Sequence, residues 1–221
     1  MDKLLKNIFW PVIFAPVAYL AIIWKQLPDT IAVHFDLQGN PDRYGSKKEL
    51  LGVAAVLIVL NILIYILLTN IHRIDPKKHA VENKSRLLRI AFALAVFMSA
   101  ILLLIIYSSM KGSVEFSISV LFAAVGLLFA VIGNYMVNIK PNYFAGFRVP
   151  WALENADNWR KTHLLAGRLW FAGGLFLAII CLFLPPVAAI IVFFTVTIVM
   201  TVIPFVYSYR LYKEQKKDAG K

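Results

Sequence analysis

Residues 133–168, GNYMVNIKPNYFAGFRVPWALENADNWRKTHLLAGR, decide how this chain is read. The stretch is the longest interval between two strongly apolar segments, and it is dense in asparagine, proline, aromatic and basic residues. Nearly everything outside it is an apolar run or a short connection between such runs. Its meaning therefore depends on what those runs are.

Six runs, at 8–24, 50–71, 87–107, 116–137, 165–184 and 187–207, are predominantly apolar. A lipid-spanning helix needs about 20 such residues. Of the 221 residues, 60% are hydrophobic and 16% charged, whereas soluble domains are nearer half apolar and a quarter charged. The expected fold is an all-α membrane protein with six transmembrane helices. A small extracytoplasmic cap loop and an interfacial cytoplasmic loop-helix complete it. The whole of 1–221 reads as a single membrane domain. Within it, 8–71 is an N-terminal hairpin enclosing the loop 25–49, and 116–207 is a C-terminal region enclosing the loop 138–168. Pro11 and Pro16 fall inside the first run, where a membrane helix absorbs prolines as kinks. No small-x-small cleavage site follows Trp24, so this run is expected to be a retained anchor.

Basic residues in short loops set the orientation. Arg73, Lys77, Lys78, Lys84, Arg86 and Arg89 lie in one region, 72–89, Lys140, Arg148, Arg160, Lys161 and Arg168 in another, and Arg210, Lys213, Lys216, Lys217 and Lys221 in the tail. With six spans all of these share one side, which places both termini in the cytoplasm. The net charge of +11 follows from these loops, where contact with lipid head groups is expected and nucleic-acid binding is not. The 25–49 loop on the other side carries Lys25, Arg43, Lys47 and Lys48, balanced by Asp29, Asp36, Asp42 and Glu49.

None of the runs has Asp, Glu or Lys at its centre, which argues against a proton- or ion-coupled pump. Arg89 sits near an end, where it can snorkel. Asn61, Thr195, Thr197 and Thr201 are expected to bond neighbouring helices or carbonyls. Ala123, Ala124, Gly126 and Ala130, with Gly173 and Gly174, permit close helix packing. Cys181 is alone, so no intramolecular disulfide or redox motif exists.

In the 25–49 loop, Ile31, Val33 and Phe35 alternate with other residues and predict a short extended segment. Residues 38–42, QGNPD, are turn chemistry. Ser46 and Glu49 read as a capping box, each side chain serving the other's amide. His34, Asp36 and Asp42 together could hold a metal, but a zinc site wants three or four ligands at defined spacing. They are read as a surface histidine and turn-forming aspartates, with no metal and no cofactor. His72 and His79 are assigned no role. No G-x-S-x-G, G-x-x-x-x-G-K-[ST] or H-E-x-x-H occurs, so no enzyme is expected.

In 133–168, Asn134 closes the fourth run and Pro141–Asn142 begins a turn-rich passage. Gly146 allows unusual backbone angles. Arg148 suits a phosphate, a carboxylate or an aromatic face, among Tyr143, Phe144, Phe147 and Trp151. A helix is expected to start near Asn155, placing Trp159 and His163 on one face. These residues alone favour an interfacial helix feeding the fifth run; a ligand or partner site is the other reading.

The pattern GN-x7-N-x3-G-x-R-x-PW-x-L-x5-W-x-x-TH is formed by Gly133–Asn134, Asn142, Gly146, Arg148, Pro150–Trp151, Leu153, Trp159 and Thr162–His163. It strongly resembles the C-terminal signature of the SdpI family of bacterial membrane proteins. Residues 27–48, LPDTIAVHFDLQGNPDRYGSKK, resemble the extracytoplasmic motif of an uncharacterised domain that often precedes it. The resemblance implies a multi-pass protein of the bacterial inner membrane that gives immunity to a secreted peptide toxin. It also implies a receptor that holds a cytoplasmic autorepressor at the membrane. Pro28, His34, Asp36, Gly39 and Asp42 would then face the toxin. Asn134, Asn142, Gly146, Arg148, Pro150, Trp151, Trp159, Thr162 and His163 would face a partner or ligand. Two alternatives stay open: a small transporter or channel for a lipid or peptide, and a head-group enzyme with His163 as base and Arg148 on phosphate.

Overall fold

A computed structural model describes residues 1–76, 78–114 and 117–219, apart from the side chains of 78–80 and 219. The loop charges Lys77 and Lys221, the side chains of Lys78 and His79, and the expected start of the fourth span at 116 lie outside the described part.

The chain runs α1 (Asp2–Ile23), β1 (Thr30–Phe35), β2 (Pro41–Ser46), α2 (Glu49–Ile74), a 3-10 turn (Lys78–Asn83), α3 (Lys84–Lys111), α4 (Ile118–Met136), α5 (Pro150–Glu154), α6 (Ala156–Ile180) and α7 (Pro186–Ala219). Six of these helices are long and apolar enough to cross a membrane, and the protein is an all-α membrane protein. The helices outrun their apolar segments because a helix can continue into polar residues where water satisfies its ends. The largest difference is at α6, which begins at Ala156. The interfacial helix expected to feed the fifth span is the opening of that span itself. Asn155 caps it, its side chain accepting from the amides of Asp157 (3.0 Å) and Asn158 (2.9 Å). No proline follows to break it. Only the short α5, with Pro150 in its first turn, stands apart.

The extended segment at 30–35 pairs antiparallel with 41–46, with bulges around His34. Half of the expected capping box forms: the Ser46 amide donates to Glu49 Oε1 at 3.2 Å. Ser46 Oγ instead accepts from the Lys48 amide at 3.3 Å, so α2 starts without a side-chain cap.

The helices form two groups. Leu20, Leu27, Ile31, Leu50, Leu102 and Ile106 pack α1, α2, α3 and the hairpin together. Ala123, Leu177, Cys181, Ala189, Phe193 and Met200 pack α4, α6 and α7. Within the second group α4 and α6 meet backbone to backbone. A Cβ at Gly133 would lie 2.4 Å from the Phe171 amide nitrogen, and one at Gly174 would lie 2.4 Å from that of Ala130. Small residues are the only ones that fit, as expected of helices packed in lipid. Asn61 of α2 reaches the Ala95 carbonyl of α3 at 3.4 Å.

Cross-links show which ends lie together. Ser85 Oγ donates to Asp2 at 3.1 Å and Trp151 Nε1 to Ser208 Oγ at 3.0 Å, at the end carrying the chain termini. Val114 donates its amide to the Gly39 carbonyl at 3.0 Å, and Ser119 Oγ donates to the Leu184 carbonyl at 2.9 Å, at the opposite end.

Candidate functional site

At the hairpin end, Asp36 builds the turn between the strands. Its Oδ1 accepts from the amides of Gln38 (2.9 Å) and Asn40 (2.8 Å). These bonds, led by that of Asn40, hold the carboxyl below its ordinary value. Gly39 occupies φ 87°, the left-handed region. His34 Nδ1 lies 2.6 Å from Asp42 Oδ1, both side chains exposed on the outer surface. The two aspartates thus serve different purposes: Asp42 meets His34, and Asp36 closes the turn. Among the described residues no three His, Cys, Asp or Glu side chains could hold a metal. Pro28 is exposed at the root. Beside it Lys47 pairs with Asp29 at 2.9 Å and donates to the Leu27 carbonyl at 3.2 Å. That hydrogen bond and charge hold the Asp29 carboxyl below its ordinary value.

Beneath the hairpin lies an apolar cavity of about 340 Å³. Phe35, Asp36, Leu37 and Gly39 form its roof, while Leu104 and Ser108 of α3 and Leu121 of α4 contribute walls. Of the residues expected to face outward here, Asp36 and Gly39 border this space; His34, Asp42 and Pro28 do not.

At the terminus-bearing end, 137–149 forms an irregular loop held by buried polar side chains, two of them Asn142 of the loop and His163 of α6. Asn142 is fully buried and makes bonds to four backbone groups. Its Oδ1 accepts from Phe144 (2.9 Å) and Ala145 (2.7 Å), and its Nδ2 donates to the carbonyls of Lys140 (3.0 Å) and Ala145 (3.1 Å). Asn83, from the turn before α3, pairs with Lys140 like a strand partner, accepting from its amide at 2.8 Å and donating to its carbonyl at 3.0 Å. Asp75 accepts from the Tyr143 amide at 2.8 Å. The loop is thereby tied to the α2–α3 connection.

His163 is completely buried and stacks on Trp159 at 3.9 Å. Its Nε2 accepts from the Phe147 amide at 3.0 Å, which leaves Nδ1 as the protonated nitrogen, donating to the Trp159 carbonyl at 2.9 Å. Both nitrogens are occupied, so the ring holds the loop and has no lone pair turned to a substrate. Gly146, at φ 101°, brings the chain over that ring; a Cβ there would fall 2.2 Å from His163 Nε2.

A second network joins α5, α6 and α7. Asn158 Oδ1 accepts from Thr162 Oγ1 (3.0 Å) and from Ser208 Oγ (2.7 Å), and its Nδ2 donates to the Ser208 carbonyl (2.9 Å). Trp151 Nε1 donates to Ser208 Oγ, and Trp159 Nε1 donates to the Ile139 carbonyl at 2.7 Å. Satisfying every member matters, since a buried polar group left alone costs about 1–3 kcal/mol.

The structure therefore unites Asn142, Gly146, Trp151, Trp159, Thr162 and His163 in one lock, in which Asn142, Trp159, Thr162 and His163 are buried, with Pro150 starting the helix that presents the half-buried Trp151. Arg148 is exposed beside it and donates to the Tyr143 carbonyl at 3.0 Å. Asn134 is not part of it; its side chain is exposed on α4. Asn83, Asn158 and Ser208 do as much as the residues named from the sequence. Asn158 had a local signal, four positions before Thr162 on one helical face. Asn83 meets Lys140 across 57 positions and had none.

Residues 138–208 match the model of the SdpI/YfhL protein family. Residues 12–59 match that of a domain of unknown function, DUF1648. The first match covers the lock and ends on Ser208; the second covers most of α1, the hairpin and the start of α2. An uncharacterized protein of Archaeoglobus fulgidus is 41% identical over 49 residues, 22% of this chain and 27% of that one. The shared part thus spans about a quarter of that relative's length. No solved structure matches.

Proposed function

We propose that this chain, whose residues 138–208 are those of an SdpI/YfhL family protein, confers immunity to a secreted peptide toxin at a bacterial plasma membrane. The observation that carries the reading is the apolar cavity of about 340 Å³ roofed by the hairpin, at the end away from the chain termini. A space of that size takes a few apolar side chains of a peptide and not a whole chain. Asp36, at its rim, offers a carboxylate to a basic group on the same peptide. Both termini and the basic loops lie in the cytoplasm on this reading. There the face bearing Arg148 is offered to a repressor held at the membrane, which couples immunity to its own expression.

Expression of the chain in a toxin-sensitive host is expected to raise survival in supernatant from a producing strain. Leu104→Trp, which fills the cavity, is expected to abolish protection while the protein stays in the membrane. A membrane-inserted wild-type chain that protects against no such supernatant overturns the reading for those toxins. The alternative, a small transporter or channel, gains nothing from the α4–α6 seam, where the helices meet too closely to leave a path.

A further inference from the structure

Arg89 lies in the second turn of α3, at the end that carries the chain termini. Its guanidinium carbon is 5.7 Å from the ring centre of Tyr135 on α4. Its Nε is buried and makes no hydrogen bond among the described residues. No described carboxylate forms an ion pair with it. An arginine inside a spanning helix is ordinarily paired or turned out to water, and this one is a half-buried residue.

The same side chain closes one end of a second cavity, about 240 Å³ in volume. The other lining residues are Met1, Leu5 of α1, Phe92 and Ala93 of α3, Val131 of α4 and Tyr135, and their side chains are mainly apolar. The cavity lies where the two groups of helices adjoin, and direct contact between α3 and α4 is much thinner than between α4 and α6. A planar cation near the end of a spanning helix, above an apolar trough between helices, is complementary to one kind of molecule. The guanidinium fork fits two oxygens of a phosphodiester, and the trough fits an acyl chain. A soluble anion would use the cation and leave the trough empty.

We infer that this groove holds one anionic phospholipid, its phosphate on Arg89 and an acyl chain along Leu5, Phe92 and Val131. The lipid completes the contact between the two groups of helices. The assignment is independent of any toxin or repressor.

The test is lipid binding by the full-length, delipidated protein in mild detergent, read by native mass spectrometry. The probes are phosphatidylglycerol and phosphatidylcholine of matched chains, with inorganic phosphate as competitor. One phosphatidylglycerol per chain is expected to bind at least about tenfold more tightly than phosphatidylcholine. Millimolar phosphate is expected not to displace it. Arg89→Gln is expected to remove the preference, while Arg86→Gln, at an arginine of the same helix already bonded to the Glu82 carbonyl, keeps it. Ala93→Leu, which narrows the trough and leaves the charge, is expected to weaken both lipids. Arg89→Lys keeps the charge without the fork and is expected to fall between wild type and Arg89→Gln, which serves if the glutamine variant does not fold. A preference that survives Arg89→Gln, or is absent from the wild type, overturns the inference. Displacement by inorganic phosphate overturns it too, by reducing the site to one for small anions.

Discussion

The backbone amide of Phe147 donates to Nε2 of His163 at 3.0 Å, sixteen positions along the chain. The bond makes the imidazole a fixed acceptor on one side and a donor on the other. His163→Ala leaves the Phe147 amide and the Trp159 carbonyl without these partners and opens a void against the indole. The expected loss is about 2–4 kcal/mol. Gln at 163 can supply an acceptor and a donor, and is expected to recover part of it. Thermal unfolding in detergent separates the cases; equal losses for Ala and Gln would assign the stability to ring stacking alone.

Asn158 has bonds to Thr162 and to both the side chain and the carbonyl of Ser208. Asn158→Ala is expected to cost about 2–3 kcal/mol, because partners are stranded on two helices at once. Ser208→Ala should cost less alone and add little to Asn158→Ala, since groups in one network are not additive. A double-mutant cycle with full additivity would show that the two residues are not coupled.

Gly133→Leu is expected to disrupt folding. The new side chain starts where the Phe171 amide and the Gly167 carbonyl already lie. Gly52 of α2, with nothing within 4 Å of an added Cβ, is the control. Size-exclusion profiles should show a normal monodisperse peak for Gly52→Leu and aggregation for Gly133→Leu. Matching profiles would remove the close crossing from the account.

Acid should loosen the hairpin turn. The Asp36 carboxyl is held below the ordinary 3.8 by amides that favour its charged form. A depressed folded value means its contribution is complete above 3.8 and is lost as pH falls through the folded value. Hydrogen exchange at Gln38 and Asn40, compared with neighbours on β1, is expected to rise selectively below that point. Asp36→Asn should show the fast exchange at every pH, and an unchanged profile would mean the carboxylate is not what closes the turn.

On the proposed function, Arg148→Ala is expected to impair protection or repressor retention more than Arg73→Ala. Arg148 braces the Tyr143 carbonyl within the loop, whereas Arg73 is an exposed charge at the end of α2. Survival of a toxin-challenged host and membrane retention of a repressor are the two measurements. Equal effects of the two substitutions would mean that the loops act through total charge.

The spans were legible because twenty-residue apolar runs have few other destinations. The N-cap at Asn155 and the face shared by Trp159 and His163 are local, so spacing alone disclosed them. The strand at 30–35 came from alternation, but its docking did not, since Val114 lies far along the chain from Gly39. Asn134 lies outside the lock, because its position in a motif says nothing about which side of a helix it takes. Asn83 and Ser208 were invisible for the converse reason: each is ordinary in its own neighbourhood and acquires its work from a segment more than forty residues away.

The hairpin is fixed at three separate places. One foot continues from α1 and is tied by Lys47 to Leu27 and Asp29; the other runs into α2 through Glu49; the tip is bonded to Val114 in the α3–α4 connection. A body supported at three points that are not in line has no free axis of rotation. The ribbon is therefore an arch and not a flap, and a guest reaches the space under it from the side, past the exposed Leu37, Val53 and Leu104.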